Sequence, residues 1–393
     1  MHMKTIDGTH DDCGVLDVLS GLIRARSQNS IETEQEAGQF IAAVLRDHGI
    51  ETDLAWAAPG RPNVIARLRG VEPGRTLLLN GHLDTVPAGD GWSCNPFEAT
   101  VTAGRLYGRG ASDMKGGVAA MACAAIRLKH LGNPFRGDLV LFFNCDEECT
   151  NTGMKWFLES DIRMDYAVIG EPTSLDICTG HRGVARITVR TSGVAGHTCF
   201  VENPENAIYR MLPLVESVRE LGQEVRLRRH DYLGNSLLTV SQINGGTAPN
   251  IVPDSCEIQI DRRTLPGETR EAVVSEISQC VQNAAARRGV EFDLNDYLFL
   301  PATHLDHRHP LVSSMAASLS AVRGGKARIK AFDATCEAPF FAVDRNVPTL
   351  IIGPGSIAQA HIADEFVQTQ EVVEAVSVYT DFVQRVLSER AGS

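Results

Sequence analysis

The sequence predicts an α/β fold with two domains. The larger domain, residues 1–180 and 292–393, has a mostly parallel sheet, and a smaller domain, residues 181–291, is inserted into it. Three observations predict this organisation. The length of 393 residues exceeds that of one ordinary domain. Up to about residue 170 and again after about residue 301, short apolar runs alternate with helical patterns, as in a parallel sheet covered by helices. Between these stretches the predicted order is β-α-β-β-α-β, that of a ferredoxin-like domain.

Two helices are predicted near the start of the chain. Apolar residues recur at helical spacing over residues 15–23, and a second helix is predicted over residues 34–48. Thr33, with Glu36 three residues later, predicts a capping box at the start of the second helix. Gly49 is expected to end that helix.

The remaining elements follow from the same two periodicities. In the larger domain, strands are predicted at residues 63–68, 76–80, 138–144, 166–169, 327–332 and 348–352, and helices at 116–131, 154–159, 311–322 and 371–387. In the smaller domain, strands are predicted at residues 184–190, 236–243, 256–262 and 290–296, and helices at 206–221 and 269–287.

Composition and charge exclude several classes of protein. Hydrophobic residues make up 43% and charged residues 22% of the chain, which excludes collagenous, coiled-coil and disordered proteins. A net charge of −12 argues against a nucleic-acid partner, because duplex DNA requires a basic face. The apolar runs are far shorter than the ~20 residues of a membrane span, so no membrane partner is expected.

Cysteine usage and the N-terminal residues predict a cytoplasmic protein. The first 14 residues are polar, with one Lys and no apolar core, and do not resemble a secretory signal. Ten cysteines are scattered along the chain without close spacings, as expected of reduced thiols.

The charge is unevenly distributed. Residues 181–291 contain 13 basic and 13 acidic residues, so the whole net charge of −12 belongs to the larger domain. Concentrated carboxylates suit a site for divalent cations, although a solvated acidic surface explains the charge equally well.

Side chains that can bind metals follow several predicted strands, and one lies in a glycine-rich loop before a helix. These residues are His82, Asp84, Asp113, Asp146, Glu147, Glu148, Glu171 and His361. Because the loops at the carboxyl ends of parallel strands share one edge of a sheet, we expect these side chains to meet. Two imidazoles and several carboxylates suit zinc or a similar divalent ion.

Each motif taken alone has a simpler interpretation. A single His-x-Asp is a weak metal signal, although Asp84 can accept the second ring N–H of His82 and fix its tautomer. Asp113 can be a helix N-cap, and its loop lacks the G-x-x-x-x-G-K-[ST] order of a phosphate loop. The three adjacent acids can form a solvated turn. The joint pattern is therefore the stronger evidence.

Two further groups of candidate metal ligands have simpler explanations. His304, His307 and His309 lie in a predicted surface connection, where solvated histidines are expected. Cys145 and Cys149 flank the acidic triplet at a spacing that is not that of a zinc ribbon, and buried thiols are the expected interpretation.

The motifs resemble those of the di-zinc amidohydrolase and metallopeptidase family that includes acetylornithine deacetylase, succinyl-diaminopimelate desuccinylase, aminoacylase and glutamate carboxypeptidase. The resemblance extends from about residue 15 to residue 387. It is carried by the segments NGHLDTVP (80–87), GRGASDMKGG (108–117), DEE (146–148), GEPTS (170–174), GHRG (180–183), GVAGHT (193–198), NIVPD (250–254), DRRTLPG (261–267) and GPGSIAQAHIADE (353–365).

The resemblance implies a metal-binding catalytic domain that holds two divalent ions, most simply zinc, with cobalt or manganese as alternatives. His82 and Glu171 resemble the ligands of one ion. Glu148 and His361 resemble those of the other ion, and Asp113 resembles the ligand that bridges both.

Three more residues resemble parts of the family's catalytic machinery. Glu147 resembles the general base and acid, and Asp84 resembles the partner of the metal-binding His82. His197, in the inserted domain, resembles the residue that reaches the neighbouring subunit's site and stabilises the oxyanion. The resemblance therefore implies that the inserted domain serves as a dimerisation and lid domain, and that the protein is a homodimer.

Substrate contacts are implied by weaker matches. Arg263 matches the family's arginine before an x-L-P-G turn, which would pair with a substrate carboxylate. Asn250 and Gly355 also match substrate contacts, and Arg182 is a further candidate. A surface ion pair is the alternative for each arginine.

The function implied is hydrolysis of the amide bond of a small N-acyl amino acid that carries a carboxylate, with water activated by metal, as in a deacetylase or desuccinylase. A dipeptidase or carboxypeptidase is one alternative, and hydrolysis of an unusual non-peptide C–N bond is another. A catalytically silent scaffold is disfavoured, since it would not need Glu147. Departures from the family pattern at residues 149–150, 198–206 and 334–337 leave the acyl group and the amine open.

Overall fold

The computed structural model describes residues 14–200 and 205–388. The helices in these ranges are α1 (Val15–Arg24), α2 (Gln35–Asp47), α3 (Lys115–His130), α4 (Thr152–Glu159), α5 (Ala207–Val225), α6 (Arg270–Arg288), α7 (Pro310–Arg323) and α8 (Thr369–Ser388). The strands are β1 (Glu51–Ala58), β2 (Arg61–Arg69), β3 (Glu72–His82), β4 (Thr100–Thr102), β5 (Arg105–Tyr107), β6 (Arg136–Asn144), β7 (Tyr166–Ile169), β8 (Ile177–His181), β9 (Gly183–Ser192), β10 (Gly196–His197), β11 (Arg229–His230), β12 (Gly234–Asn235), β13 (Leu237–Gly245), β14 (Ile251–Val252), β15 (Ser255–Thr264), β16 (Phe292–Leu300), β17 (Thr303–His304), β18 (Ile329–Phe332), β19 (Thr349–Ile351) and β20 (Phe366–Gln368).

The chain divides into two compact units. The larger unit comprises residues 1–180 and 305–393, and the smaller unit comprises residues 181–304. The smaller unit extends past residue 291, where the sequence placed the boundary, because β16 pairs with β9 from Phe292 to Leu300.

The central sheet of the larger unit has the strand order β1-β2-β6-β3-β7-β19-β8. Its four middle strands, β6, β3, β7 and β19, are parallel. β1, β2 and β8 pair with their neighbours in antiparallel fashion. The mostly parallel sheet expected from the sequence is therefore confirmed, with antiparallel strands at its ends.

Helix α3 is the most deeply buried helix of this unit, with every residue from Lys115 to Ile126 buried. Its small residues allow a close approach to the loop after β7. A Cβ atom at Gly117 would lie 2.2 Å from the main-chain oxygen of Gly170, so a glycine is required there. Helices α1, α7 and α8 pack in the same apolar core as α3 and β3.

The start of α2 differs from its prediction. Glu34 is the N-cap residue, and no side chain caps the helix, so the capping box of Thr33 and Glu36 is wrong. Glu34 is instead fully buried and pairs with Arg61, whose Nη1 lies 2.7 Å from its Oε1. Gly49 follows the helix with φ 70°, as predicted for a left-handed helix end.

The smaller unit contains a four-stranded antiparallel sheet of order β13-β15-β9-β16. Helices α5 and α6 pack together and share one apolar core with this sheet. Burial alternates along β15, so that Arg262 is fully buried while its neighbours Asp261 and Arg263 are partly exposed.

No helix within residues 14–200 and 205–388 combines the length and apolar character of a membrane span.

Candidate metal centre

The two carboxylate oxygens of Asp113 face two different histidines. His82 Nε2 lies 3.2 Å from Asp113 Oδ1, and His361 Nε2 lies 3.4 Å from Asp113 Oδ2. Glu171 Oε1 is 4.0 Å from His82 Nε2, and Glu148 Oε1 is 3.2 Å from His361 Nε2. Two groups of possible metal ligands therefore share Asp113, and within each group the donor atoms lie within 4.8 Å of one another.

The parallel part of the sheet supplies four of these five residues. His82 is the last residue of β3, and Glu171 lies two residues after β7. Glu148 follows β6, and His361 lies in the loop after β19. Asp113 precedes α3. Adjacent parallel strands end at one edge of the sheet, which explains how residues so distant in sequence meet.

Burial and neighbouring charges shift the proton affinities of these groups. Burial favours the neutral ring of His82, but its hydrogen bond to Asp113 and the nearby carboxylates outweigh this effect and raise its pKa well above the usual range. Hydrogen bonds to Asp113 and Glu148 raise the pKa of His361 to about 10. Burial, followed by the charge of Asp113, raises the pKa of Glu171 well above its usual range. Negative charge is thus concentrated in a desolvated space, a condition that favours cation binding.

Glu147, which precedes the candidate ligand Glu148 in the sequence, also has a shifted pKa. Burial, followed by the charge of Glu337, raises the pKa of its carboxyl well above the usual range. A carboxyl group with a raised pKa can accept and return a proton near neutral pH, as an acid–base catalyst must.

Asp84 contacts two loops of the site. His82 Nδ1 lies 2.9 Å from the main-chain oxygen of Asp84 and 3.6 Å from its carboxylate, so the main chain is the closer ring partner. The carboxylate accepts hydrogen bonds from the main-chain N–H groups of Glu147 and Glu148, both at 3.0 Å. It also accepts one from Asn29. Asp84 therefore fixes the turn that carries Glu147 and Glu148.

Glu365 supports the loop that carries Asp113, a role that the sequence did not reveal. Its buried carboxylate accepts hydrogen bonds from the main-chain N–H groups of Gly110, Ser112 and Asp113 at 2.9–3.0 Å. Arg109 donates to it at 2.6 Å. The only sequence signal was its place at the end of the segment that contains His361.

Gly355 lies beside the Asp113 loop, with both main-chain groups bonded within the protein. Its N–H donates to Glu371 at 2.9 Å, and its carbonyl accepts from the Ser174 N–H at 2.6 Å. A Cβ atom there would lie 2.5 Å from Ser112 Oγ, and φ is 87°. These contacts explain why the position requires a glycine.

The other predicted catalytic and substrate residues belong to the smaller unit. His197 is exposed in β10, where it pairs with Ile251, and its Nδ1 accepts the Cys199 N–H at 3.1 Å. The main-chain oxygen of Asn250 accepts a hydrogen bond from Thr198 at 3.1 Å. Residues 201–204, part of a predicted departure from the family, lie outside the described residues.

The two predicted substrate arginines have partners within the smaller unit. Arg263 Nε lies 2.8 Å from Asp261 Oδ1, in the ion pair that was the alternative interpretation. Arg182 donates to the main-chain oxygen of Asn235 at 3.3 Å.

The other predicted histidine cluster has separate roles in the structure. The ring of His304 packs against His230, with centroids 4.8 Å apart. His309 caps α7 by accepting the Leu311 N–H at 3.1 Å, and His307 is exposed beside Asp306.

The cysteines beside the acidic triplet differ in exposure. Cys145 is buried, as expected, and burial raises the pKa of its thiol. Cys149 is exposed, contrary to the expectation of a buried thiol.

Comparisons with known proteins identify a matching family, similar sequences and similar folds. The model of Peptidase family M20/M25/M40 matches residues 78–385. The acetylornithine deacetylase of Vibrio cholerae serotype O1 is 31% identical over 384 residues, which cover 94% of this chain and 98% of the relative. An M20 family metallo-carboxypeptidase from Sulfolobus solfataricus has a TM-score of 0.81 at 18% identity, covering 94% of this chain and 98% of the other. A dinuclear metal-binding M20 peptidase from Bacillus subtilis has a TM-score of 0.71 at 17% identity, covering 96% and 99%.

Proposed function

Since the chain belongs to peptidase family M20/M25/M40, we propose that it hydrolyses the amide bond of a small N-acyl amino acid, as a deacetylase does. The observation that carries this proposal is the placement of Asp113 between His82 and His361, with Glu171 and Glu148 beside them. The similarity to acetylornithine deacetylase over nearly the whole chain supports an acyl amino acid as the substrate class.

Two divalent ions fit the donor atoms present. His82, Asp113 and Glu171 would hold one ion, and Asp113, Glu148 and His361 would hold the other. Imidazole nitrogen and carboxylate oxygen are donors that suit zinc, with cobalt and manganese as alternatives. When bound, such ions lower the pKa of water and polarise a carbonyl group.

Residues of this chain would then transfer the proton from the attacking water to the leaving amine. The Glu147 carboxylate takes a proton from the attacking water and returns it to the nitrogen of the leaving amine. Asp84 holds the main-chain N–H groups of Glu147 and Glu148, so the proton acceptor and a metal ligand share one support. Glu365 holds the loop of Asp113 in the same way.

The smaller unit would supply recognition of the substrate. Its β-α-β-β-α-β order supports a ferredoxin-like domain, which we propose mediates a homodimer. The exposed His197 would stabilise the developing oxyanion in the partner subunit's site. Arg263, Arg182 and Asn250 would contact the substrate carboxylate, with Gly355 lining the metal-site loop.

We place the protein in the cytoplasm. The nine cysteines within the described ranges are free thiols, which suits a reducing compartment.

A substrate panel with controlled metal content tests the proposal. The protein is freed of metal by chelation and then assayed with Zn²⁺, Co²⁺ or Mn²⁺ against N-acetyl and N-succinyl amino acids and dipeptides. We expect metal-dependent hydrolysis, with an N-acyl amino acid preferred at least ~10-fold in kcat/KM. The methyl ester of the preferred substrate is the matched control, and loss of the carboxylate should weaken binding.

Two outcomes would contradict the proposal. Full activity in the chelated protein would eliminate the metal mechanism. A preference for dipeptides would assign the chain as a peptidase on the same metal site.

A further inference from the structure

A buried acidic group adjoins the candidate metal centre. Glu337 is fully buried in the segment between β18 and β19, and neither of its carboxylate oxygens has a hydrogen-bond partner. The Asn144 amide lies within reach of this carboxylate, and its Nδ2 makes no hydrogen bond elsewhere. An isolated buried carboxylate is strongly destabilising unless a counter-charge or hydrogen bonds compensate it.

Two further donor groups lie beside Glu337. Cys336 is fully buried, and Glu171 is 4% exposed. One donor atom from each of Glu171, Cys336 and Glu337 lies within 4.8 Å of the other two. Two carboxylates and a thiol are therefore close enough to one another to share one ion.

We propose that Glu171, Cys336 and Glu337 bind a divalent cation, with Cys336 as a thiolate ligand. This inference rests on the proposed metal centre, because Glu171 also belongs to the His82 and Asp113 group. Binding releases the thiol proton to solvent and places a positive charge beside the unpartnered carboxylate. Zn²⁺ and Co²⁺ suit this mixed set, since both accept sulfur and oxygen donors, whereas Mg²⁺ and Ca²⁺ prefer oxygen alone.

The cation would serve a different purpose from the pair held by Asp113. It compensates Glu337 and draws charge from Glu171, so that the ligand shared with the His82 position becomes a weaker donor. The thiol marks this position, since neither Asp113 group contains sulfur.

Cobalt titration of the metal-free, full-length protein tests the inference. Thiolate-bound Co²⁺ gives a near-ultraviolet charge-transfer band that imidazole and carboxylate ligands do not give. We expect this band in the unaltered protein and its loss in Cys336→Ser, while the visible bands of Co²⁺ at the histidine sites remain. Glu337→Gln should weaken binding of the band-forming ion by ~10-fold or more. Cys178→Ser, which removes a buried thiol of β8, is the matched control and should leave the band unchanged.

A measurement without variants keeps the inference testable if the buried substitutions impair folding. X-ray absorption of the zinc-loaded, unaltered protein should show sulfur at about 2.3 Å from zinc. A shell of nitrogen and oxygen alone, or a cobalt band that survives Cys336→Ser, would overturn the inference. If Co²⁺ binds at the histidines and the protein is active without sulfur ligation, the proposed function stands and only this site fails. If none of Zn²⁺, Co²⁺ and Mn²⁺ binds at the histidines, the proposed function fails as well.

Discussion

The two units differ in whether their buried charged side chains have partners of opposite charge. In the smaller unit, the fully buried Arg262 has a matching partner, because its Nη2 lies 2.6 Å from Glu268 Oε1. In the larger unit, Glu147, Glu171 and Glu337 are desolvated, with His82 as the principal opposing charge on all three. A matched buried pair stabilises a fold only weakly, whereas an excess of one sign must be neutralised by protonation or by an external ion.

This difference indicates which buried carboxylates belong to the candidate functional site. Arg109 and Glu365 show that the larger unit also contains a matched buried pair, at 2.6 Å. That pair supports the Asp113 loop. The unmatched carboxylates of Glu147, Glu171 and Glu337 share the buried surroundings of His82, which locates the chemistry more sharply than acidity alone.

The largest expected effect comes from removing the proton acceptor of the unmatched group. Glu147→Gln keeps the size of the side chain but cannot accept a proton, so kcat should fall by about 10²–10⁴-fold. Metal content, measured by mass spectrometry of the digested protein, should remain unchanged. Glu159→Gln, at an exposed acid of the same unit, is the control. Unchanged turnover in Glu147→Gln would exclude it as the base.

Breaking the matched pair should affect stability instead of catalysis. Glu268→Gln leaves the Arg262 guanidinium buried without its carboxylate partner and should destabilise the protein by about 3–5 kcal/mol. Urea unfolding measures this change. Glu216→Gln, in an exposed pair with Arg219, should produce no measurable change. If Glu268→Gln and Glu216→Gln were equally stable, the buried Arg262–Glu268 pair would not contribute more to stability than an exposed pair.

A third prediction concerns a buried acid of the larger unit that titrates near neutrality. Burial and the charge of Asp84 raise the pKa of Glu34 from 4.5 to about 7. A raised carboxyl pKa means that the folded state holds the proton more tightly than the unfolded state. The contribution of Glu34 is therefore complete below pH 4.5 and is lost as the pH rises to about 7.

The size of this loss follows from the linkage between proton binding and folding. Stability should fall by about 2–3 kcal/mol between these pH values, and Glu34→Gln should abolish that slope. Urea unfolding at several pH values checks it, with Glu36→Gln, an exposed acid of α2, as the control. A slope that persists in Glu34→Gln would assign it to another group.

The smallest effect is expected at the support of the Asp113 loop. Glu365→Gln weakens the hydrogen bonds to Arg109 and the loop N–H groups, and should lower metal affinity by about 10–100-fold. Competition with a chelator of known affinity measures this change. Glu98→Gln, at an exposed side chain of the same unit, is the control. Unchanged affinity would mean that the loop holds Asp113 without Glu365.

Strong periodicity made most elements predictable, and weak periodicity explains the omission of β1. The apolar runs of β6 and β7 and the small residues of α3 are buried on all sides, so their patterns are unmistakable. β1 was missed because it lies at the end of the sheet and has one buried residue, Thr52. The capping box failed because Glu34 is drawn into the interior by Arg61, a contact that local sequence does not contain.

The sequence named residues that the structure brings together, but it did not predict their contacts. The ligand motifs stand at strand ends, and strand ends are local features. The part of Asp84 that approaches His82 most closely is its main chain, and its carboxylate serves the Glu147 turn. The burial of Glu337 had no local signal, since a surface acid and a buried acid have the same sequence.

The sequence by itself determined the element types and which residues stand at the strand ends, because side-chain periodicity and strand length are properties of neighbouring residues. Only the tertiary structure decided which carboxylates are matched and which are not. Desolvation and hydrogen bonding depend on atoms brought from distant parts of the chain, such as Glu365 beside Gly110 and Glu337 beside Glu171.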